Sequence, residues 1–559
     1  MEIHSRLALR IVTLQNRLVL IRVVTPCFIA LNLLIPSAVS VSSLQNISYG
    51  HPRLGVSDSI LPDLATTIVS RPGYSNGNLA YLQLNTTTTL ASSSIPVNPC
   101  LITGYTINSF APSPNFGGEP PLRVTLTAFV SCGKNPYSAL WQFGDGNSSS
   151  QQLANESQDY PPGGARFIYN HTYTYIGSFI ASISITDSNG NKVEATTNIY
   201  VSFVPSLYYS YYNEGGLIGK GITGNTYSIG LVEECFPSIP ESTYQSDLST
   251  FDNQFDVQPT PTLQFLTYGT GPCYGSNWNP IETSLDIEWA HVAAPGAKIY
   301  VCFDTTSTVA GLEGCDSLLY QNRTADNIMI GSNSWGTCAI GYIGAIGLNC
   351  VNGPDSYAAI WQQSESAGMT LFASTGDFQP NAECAGLNYP SSNPYGVAVG
   401  GTTISSVGSS GSYGSEVMWY KEKQATQCYV QIGPNLEPVQ GEIGETYGQN
   451  EYYTAPSWQS SLLNNNYRYV PDVSMVANST TGVPVYSQGS WQIVGGTSVG
   501  APIWAGILDI LFQAGAPGLS GFAAPFLYAH SSCFHVVTNI PTGGRDGLGT
   551  PNVGCLAMA

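Results

Sequence analysis

The sequence has few charged side chains. Only 9% of its 559 residues are Asp, Glu, Lys or Arg, and histidine occurs six times, whereas about a quarter of the residues of an ordinary soluble protein are charged. The 36 acidic residues outnumber the 17 basic ones, and the net charge of −19 argues against nucleic acid as a partner. A surface that owes little to charge changes little when carboxylates are protonated, so this composition is consistent with function at low pH.

The sequence also lacks closely spaced cysteines. No two of its 13 cysteines stand at the C-x-x-C spacing of zinc and redox sites, so structural disulfides are favoured over a metal. Cys27 lies in the N-terminal apolar segment, and the other twelve are even in number. Sequence alone leaves their connectivity open, and pairing each cysteine with its neighbour in sequence is one hypothesis. Those pairs are Cys100/Cys132, Cys235/Cys273, Cys302/Cys315, Cys338/Cys350, Cys384/Cys428 and Cys533/Cys555.

A long apolar run occurs only near the N-terminus. Four arginines precede an apolar stretch over residues 23–39, and small residues follow, which is typical of a secretory signal. A retained membrane anchor is the alternative, although Pro26 and Pro36 disfavour a spanning helix. We therefore predict that residues 1–43 are a signal peptide or N-terminal anchor and that the protein is secreted to the extracellular side.

Three regions follow this segment. Residues 44–98 are rich in Ser, Thr, Asn and Pro and are interpreted as a linker or irregular segment. Residues 99–204 contain short alternating apolar and polar runs between Gly- and Asn-containing turns, which is typical of a small β-sandwich. Residues 205–559 contain near-continuous apolar runs between helical stretches, which predicts one large α/β domain with a parallel sheet. These apolar runs are 227–232, 298–302, 328–332, 369–374 and 397–399.

Two carboxyl groups occupy one predicted helix. Asn279 has the character of an N-cap and Pro280 of a first helical residue, so a helix is predicted to begin here and to stop before residues 295–296. Glu282 and Asp286 are four residues apart and therefore share a face of this helix. Both could point into one site. The alternative is that Glu282 only stabilises the start of the helix, as in a capping box.

A serine follows a glycine-rich turn further along the chain. The segment Gly495-Gly-Thr-Ser498 leads into an apolar helix, where backbone N–H groups and the helix dipole can stabilise negative charge near the hydroxyl. The alternative is an ordinary Ser or Thr helix cap. Asp377 follows another apolar strand in Leu371-Phe-Ala-Ser-Thr-Gly-Asp377, where the alternative role is that of a turn-forming residue.

In combination and in this order, these three motifs resemble the sedolisin (serine-carboxyl peptidase) family. Further matching stretches are 334–336, 389–402, 468–474 and 547–552, so the resemblance spans about residues 205–552. It implies a subtilisin-like, doubly wound fold and a serine-type peptidase, either an endopeptidase or a tripeptidyl-peptidase. It also implies that Ser498 is the nucleophile, Glu282 its general base, Asp286 the partner of Glu282, and Asp377 the oxyanion acid. By the same resemblance, substrate binding is expected at Ser334, Trp335 and Gly336.

A carboxylate base suits acid conditions. Imidazole has an ordinary pKa of about 6.5 and is protonated in acid, whereas a carboxylate with a pKa of about 4 can still accept a proton. Asp377 can donate to an oxyanion only when it is protonated. We therefore expect an acidic pH optimum. A Ser-His-Asp triad is disfavoured, because His291 lies about 180° from Glu282 around the same helix, and His291 is interpreted as a structural or surface residue.

The region before the peptidase domain resembles a second family. Trp141-Gln-Phe-Gly-Asp-Gly146, His171-Thr-Tyr173 and Asp187 are similar to the polycystic-kidney-disease (PKD) domain. The resemblance implies a non-catalytic, Ig-like spacer or adhesion module over residues 99–204, which could associate with a cell surface. A surface adhesion or scaffold protein with a decayed peptidase domain is therefore the alternative function, and an aspartic peptidase that uses no serine is a third.

The sequence departs from the family at the expected calcium site. Sedolisins usually hold calcium near the C-terminus through two Asp side chains and backbone carbonyls, but Val536 and Gly543 stand at the two expected Asp positions. Loss of two charged oxygen ligands should remove most of the affinity for a hard cation. We expect no calcium at the usual place, unless Asp546 restores a site in a shifted register. The expected partners are protein or peptide substrates, and the protein is expected to be a monomer.

Overall fold

The structure is a computed structural model. It describes residues 102–109, 118–130, 133–153, 165–273, 280–338, 358–378, 387–420, 422–432 and 435–559. The predicted signal or anchor (1–43) and the predicted linker (44–98) lie outside these residues. The pairing of Cys235 with Cys273, Cys302 with Cys315 and Cys533 with Cys555 is confirmed. Each of the other three predicted pairs includes a cysteine outside the described residues.

Two antiparallel sheets account for the β-rich region. One has the order β1-β2-β5 and the other β4-β3-β6-β7. Alternate residues of β3 are buried and exposed. Buried residues of β2, β3, β5, β6 and β7 form one apolar cluster, which includes Trp141, Phe167 and Ile183. The assignment of this region to an Ig-like or PKD-like module stays a prediction. The strands are β1 (Ile102–Ser109), β2 (Leu122–Val130), β3 (Tyr137–Gln142), β4 (Ser148–Leu153), β5 (Ala165–Tyr173), β6 (Gly177–Thr186) and β7 (Lys192–Val201).

A mostly parallel sheet forms the centre of the remaining chain. Its order is β16-β15-β13-β11-β8-β10-β9, with β21 beside β15, and only β16 runs antiparallel to its neighbour. All residues of β8 and β13 are buried, as expected for strands covered on both faces. The predicted α/β fold is therefore confirmed. The strands are β8 (Ser228–Glu234), β9 (Gln264–Tyr268), β10 (Lys298–Asp304), β11 (Ile328–Asn333), β13 (Thr370–Ser374), β15 (Val397–Val407), β16 (Tyr413–Met418) and β21 (Val473–Val476).

Short strand pairs surround this sheet. They form the pairs β12–β14, β17–β18, β19–β20, β22–β23 and β24–β25. Their bounds are β12 (Thr337–Cys338), β14 (Asn388–Tyr389), β17 (Glu422–Ile432), β18 (Asn435–Ile443), β19 (Gly448–Thr454), β20 (Tyr467–Val470), β22 (Val483–Ser487), β23 (Ser490–Val494), β24 (Phe534–His535) and β25 (Thr550–Pro551).

Helices cover the sheet. They are α1 (Pro205–Tyr211), α2 (Gly215–Ile218), α3 (Glu241–Phe255), α4 (Ile281–Ala293), α5 (Val309–Asn322), α6 (Ala358–Ser366), α7 (Ser457–Leu463), α8 (Gly500–Ala514), α9 (Ala524–Ala529) and α10 (Val553–Leu556). Within the described residues, one helical stretch, Thr497–Ala514, is long and apolar enough to cross a membrane, but 78% of it is buried inside the protein. This stretch is therefore a core helix.

Helices α4 and α8 pack directly against each other. Gly506 permits their close approach, because a Cβ there would lie 2.5 Å from the Cβ of Ala293. Helix α4 ends at Ala293, as predicted, but its start differs from the prediction: Pro280 is the N-cap rather than the first helical residue, and Asn279 lies outside the described residues. The side chains of the predicted site project from this helix pair and from the carboxyl ends of β11 and β13.

Candidate active site

Ser498 lies in a short 3-10 turn that leads into α8. The turn covers Thr497–Val499, so Ser498 is not the helix cap that an isolated motif would suggest, and it is only partly buried. Gly496 precedes the turn with φ of +122°, and a Cβ at this position would lie 2.8 Å from Oδ2 of Asp377. Glycine is therefore required here both by the backbone angle and by the neighbouring carboxyl group.

The two carboxyl groups predicted on α4 reach the same site as Ser498. The Ser498 hydroxyl lies close to the side chain of Glu282 and acts to lower the pKa of that carboxyl group. Asp286, one turn further along α4, is fully buried and accepts a hydrogen bond of 2.9 Å from the Ser334 hydroxyl. The sequence alternative in which Glu282 acts only as a capping-box residue does not hold, because Pro280 has no side-chain cap hydrogen bond and Glu282 contacts Ser498 instead.

Glu233 is a third buried carboxyl group that the sequence reasoning missed. It lies near the carboxyl end of β8 and is 4% exposed. It accepts a hydrogen bond of 2.9 Å from Thr283 and is hydrogen-bonded to Asp286. Its place at the carboxyl end of a predicted parallel strand was a signal that could have revealed it, because functional side chains of such sheets collect there.

Burial raises the pKa values of all three carboxyl groups. It raises the pKa of Glu282 to about 7, against the lowering effect of the Ser498 hydroxyl and with a smaller contribution from the charge of Asp377. It raises the pKa of Glu233 to about 8, and the charge of Glu282 adds to this rise. The pKa of Asp286 is raised well above its ordinary value by burial and then by the charges of Glu233 and Glu282. All three carboxyl groups therefore hold their protons more tightly than free acids do.

Asp377 approaches the serine from the other side. It follows β13 by a tight turn, and its Oδ1 accepts hydrogen bonds from the backbone N–H of Thr497 at 2.8 Å and from the Thr497 hydroxyl at 3.0 Å. The Thr497 hydroxyl in turn accepts the Gly376 N–H at 2.9 Å. Asp377 is thus tied to the residue directly before Ser498. Sequence reasoning did not identify this role of Thr497, which stood in the motif only as a neighbour of the serine.

The segment Ser334–Gly336 follows β11 and borders the same site. The Ser334 hydroxyl contacts Asp286 and lies 3.3 Å from the carbonyl oxygen of Ser498. The Trp335 side chain is 3% exposed, whereas Gly336 is exposed. Of the three residues predicted to bind substrate, only Gly336 therefore presents its surface to solvent.

The histidines of this region lie in other surroundings. His291 is fully buried, 3.4 Å from Asp252 on α3, which excludes the surface role considered for it. Nδ1 of His530 is hydrogen-bonded to the Phe526 carbonyl, and His535 stacks on Tyr413. The titratable side chain next to the Ser498 hydroxyl is the carboxyl group of Glu282 instead.

The loop near the C-terminus is closed by its own hydrogen bonds. Val536 is 58% exposed. The carbonyl oxygens of Val537, Asn539 and Gly544 each accept a backbone N–H within the loop, at 3.0, 2.8 and 2.9 Å. The buried Asp546 carboxyl accepts a hydrogen bond of 3.2 Å from the Asn539 side chain and is also hydrogen-bonded to Glu445.

Comparisons with known proteins relate this fold and site to a class of enzymes. No protein-family model matches the chain. Sedolisin from Pseudomonas sp. (strain 101) is 30% identical over 203 residues, which make up 34% of this chain and 32% of the relative. Kumamolisin from Bacillus sp. (strain MN-32) is 30% identical over 274 residues, 46% of this chain and 44% of the relative. The chain thus spans less than half the length of these curated relatives.

A solved structure matches more of the fold. Pseudomonas sedolisin, a serine-carboxyl proteinase complexed with two molecules of pseudo-iodotyrostatin, covers 64% of this chain and 97% of its own, with a TM-score of 0.50 and 22% identity. At this identity the likeness shows a shared fold. The curated relatives add a sequence similarity to serine-carboxyl peptidases over about a third to a half of the chain. More particularly, the chain is homologous to the sedolisin family.

Proposed function

We propose that this protein is a secreted, acid-active serine-carboxyl peptidase that hydrolyses peptide bonds through an acyl-enzyme on Ser498. The observation that carries the proposal is the placement of Glu282 next to the Ser498 hydroxyl, with Asp286 one turn further along α4 and Asp377 bonded to Thr497. Homology to sedolisin and kumamolisin supports peptidase chemistry at this site. The substrates are proteins or peptides.

The proposed reaction has two halves. The Ser498 oxygen attacks the carbonyl carbon while its proton passes to Glu282, and a tetrahedral oxyanion forms. Collapse of this intermediate breaks the C–N bond, Glu282 returns the proton to the departing amine, and an ester on Ser498 remains. A water molecule then attacks the ester and gives a proton to Glu282. As the second tetrahedral intermediate collapses, the bond between the acyl carbon and the Ser498 oxygen breaks and Glu282 returns the proton to that oxygen, which frees the acid product and the serine.

Asp377 is the proposed donor to the oxyanion. Its Oδ1 already accepts two hydrogen bonds from Thr497, so the donated proton would be carried by Oδ2. A preorganised donor of this kind typically contributes a factor of about 10²–10³ to the rate. Asp377 must be protonated for this role, which requires acid.

We propose that the buried carboxyl groups next to Glu282 control its protonation. Glu233 and Asp286 are hydrogen-bonded to each other, and interacting acids titrate as a group over a wide pH range. Glu282 is the member of this group that interacts with Ser498, so it is the proposed base. Activity requires an ionised Glu282 and a protonated Asp377 in the same molecule, so we expect an optimum on the acid side of neutrality and a loss of activity toward higher and lower pH.

The test is hydrolysis of acid-denatured haemoglobin by the purified protein from pH 3 to pH 7. Ser498→Ala and Glu282→Gln should each lower the rate by about 10³-fold or more, because the residues of such a unit act together. Glu288→Gln is the matched control: Glu288 is a buried carboxyl group on the same helix that contacts the Tyr486 backbone instead. Cleavage products of three residues from the N-terminus would identify a tripeptidyl-peptidase.

Each alternative function predicts a different result. Full activity of Ser498→Ala would remove the serine from the mechanism and favour an aspartic peptidase. Inactivity of the wild type over the whole pH range would favour an adhesion or scaffold protein in which the PKD-like module contacts a cell surface. A pH optimum at or above neutrality would contradict the assignment of Asp377.

We further propose that the protein needs no calcium at the family position. The loop carbonyls are used by internal hydrogen bonds, and Asp546 is engaged by Asn539 and Glu445. A hard cation would have to replace these contacts with only one nearby carboxylate of the loop itself. Thermal melting of the purified protein should therefore be the same in about 5 mM calcium chloride, which exceeds the dissociation constants of extracellular calcium sites, as in excess chelator.

A further inference from the structure

Helix α5 carries two buried acids that the proposed mechanism does not use. Glu313 and Asp316 lie almost one turn apart and are 5% and 0% exposed. Neighbouring residues of the same helix, such as Leu312, belong to an apolar cluster that also contains Trp335 and Tyr389. Acids are rarely fully buried without a partner. The contacts of Glu313 and Asp316 therefore show which neighbouring side chains they hold in place.

Asp316 is connected to Trp335 through one side chain. The Asn333 amide nitrogen donates to Oδ1 of Asp316 at 3.2 Å, and the Asn333 amide oxygen accepts the Trp335 indole N–H at 2.7 Å. All three side chains are buried. The amide of Asn333 is therefore held at both ends, and its orientation is fixed by a donor on one side and an acceptor on the other.

Glu313 supports the opposite side of the same tryptophan. It accepts a hydrogen bond from the Tyr389 hydroxyl, and the Tyr389 ring packs edge-on against Trp335 with 6.1 Å between the ring centroids. The backbone of Tyr389 pairs with Thr337, which directly follows Gly336. The indole ring is thus fixed by a hydrogen bond and by an aromatic contact, and each leads back to an acid on α5.

The segment Asn333–Gly336 is linked to two separate groups of acids. Asn333 donates to Asp316 of α5 and accepts the Trp335 indole N–H, whereas the Ser334 hydroxyl donates to Asp286 and to the Ser498 carbonyl. Gly336, at the end of this segment, is exposed beside the serine site. A shift of the Trp335 ring would move the backbone on both sides of it, including Gly336.

We infer that Asn333 and Asp316 are positioning residues, which hold the Ser334–Gly336 backbone in the geometry that binds the peptide substrate. The inference rests on the proposed peptidase function. Neither residue reaches the reacting groups, so they act through Trp335. Because Asp316 is buried, its pKa is raised to about 7. In acid it therefore accepts the Asn333 hydrogen bond as a neutral group, without an unpaired charge in the core.

The test uses an internally quenched peptide that copies a haemoglobin bond cleaved by the wild type. Asn333→Ala removes both hydrogen bonds of the amide and Trp335→Phe removes the one from the indole N–H. Each variant should raise KM by roughly threefold to tenfold, with a smaller change in kcat. The double variant should have nearly the KM of either single variant, because the two side chains act as one connection.

Two conservative variants separate positioning from general stability. Asp316→Asn keeps an acceptor for Asn333 and should retain the wild-type KM, whereas Asp316→Ala should raise it. Asn333→Asp can keep both hydrogen bonds only while its carboxyl group shares a proton with Asp316. Its KM should therefore be near the wild-type value in acid and rise as the pH approaches 7, which a packing defect would not do.

Leu312→Ala is the matched control, because Leu312 is buried on the same helix in the same apolar cluster but has no part in the hydrogen-bonded connection. It should lower the melting temperature and leave KM unchanged. Additive effects of Asn333→Ala and Trp335→Phe, or changes in KM no larger than those of Leu312→Ala, would overturn the inference while wild-type activity upholds the proposed function. An inactive wild type would overturn both.

Discussion

The β-rich region and the α/β region shift the pKa values of their acids in opposite directions. In the β-rich region, hydrogen bonds outweigh burial: burial raises the pKa of Asp145, but bonds from His171 and Asn147 bring it below its ordinary value. The pKa of Asp187 is lowered in the same way by backbone and side-chain bonds from its turn. In the α/β region, burial dominates and raises the pKa of Glu214 and of Glu233 to about 8.

The difference follows from where the acids lie. Asp145 and Asp187 sit in turns between strands, where free backbone N–H groups are available to a carboxylate. Glu214 and Glu233 lie in an apolar interior, where the charged form loses its hydration and gains few donors. One region therefore stabilises the ionised acid and the other the protonated acid. The comparison predicts that acid favours the α/β region and disfavours the β-rich region.

The largest expected effect is on the pH dependence of stability. Folded pKa values of about 7 to 8 for Glu233, Glu282 and Glu214 lie above the unfolded value, which is about 4.3. Their contribution is present below about pH 4 and is lost as the pH rises through the folded pKa values. The free energy of unfolding of the α/β region should therefore fall by several kcal/mol, at about 1.4 kcal/mol for each pKa unit, between pH 4 and pH 8.

Hydrogen–deuterium exchange followed by mass spectrometry can measure the two regions separately. After correction for the intrinsic pH dependence of exchange, peptides of α4 should be better protected at pH 4 than at pH 8. Peptides of β3 and β6 should not show this loss of protection. The same change of protection with pH in both regions would contradict the predicted difference between them.

The next effect tests whether the two regions depend on each other. Phe167 is fully buried in the β-rich core, and Phe167→Ala should destabilise that region by about 3–5 kcal/mol, because it leaves a cavity. We expect haemoglobin hydrolysis by the α/β region to remain within twofold of the wild type at 25 °C. Exchange should increase in β2, β3 and β5 only. A large loss of activity would show that the β-rich region is needed to maintain the active site.

Much of the fold followed from sequence because apolar patterning is a local signal. The alternation in β3 and the continuous apolar runs of β8 and β13 predicted their environments. The ends of strands were less predictable where polar residues continue a strand because they pair with a neighbouring strand. Strand β15 continues to Val407, eight residues beyond the predicted end at Val399, because its polar second half pairs with the antiparallel edge strand β16.

The candidate site was predictable only where residues formed a motif. Glu282 and Asp286 share a helix, and Ser498 follows a glycine turn, so local spacing revealed them. Glu233 was missed because a glutamate after an apolar strand resembles an ordinary strand end, and its burial depends on the packing of α4. The acids of α5 were missed because their spacing is also that of a solvent-exposed helix face.

A single substitution in the α/β region can test how the raised pKa of one buried acid affects stability. Glu214 is fully buried and accepts a hydrogen bond of 2.5 Å from the Tyr208 hydroxyl, which the amide oxygen of Glu214→Gln can also accept. Glutamine does not ionise, so the variant should be more stable than the wild type by roughly 2–3 kcal/mol at pH 8 and within about 1 kcal/mol of it at pH 4. Urea unfolding at both pH values measures the difference. A variant that is less stable at both would contradict the raised pKa of Glu214.

The corresponding substitution in the β-rich region should have a smaller effect of opposite sign. Asp145 is hydrogen-bonded to His171 at 2.7 Å and accepts bonds from the backbone and side chain of Asn147. Its folded pKa is lowered, so its contribution is present above the unfolded pKa of about 3.9 and is lost as the pH falls through the folded value. Asp145→Asn should therefore destabilise the region by about 1–2 kcal/mol near pH 6 and by less near pH 3. Exchange rates of β3 and β5 measure this cost, and Lys192→Ala, which removes an exposed ion pair with Glu194, is the control with little expected effect. A cost for Asp145→Asn that grows toward acid would mean that the aspartate is held in its protonated form, and the two regions would then share one response to pH.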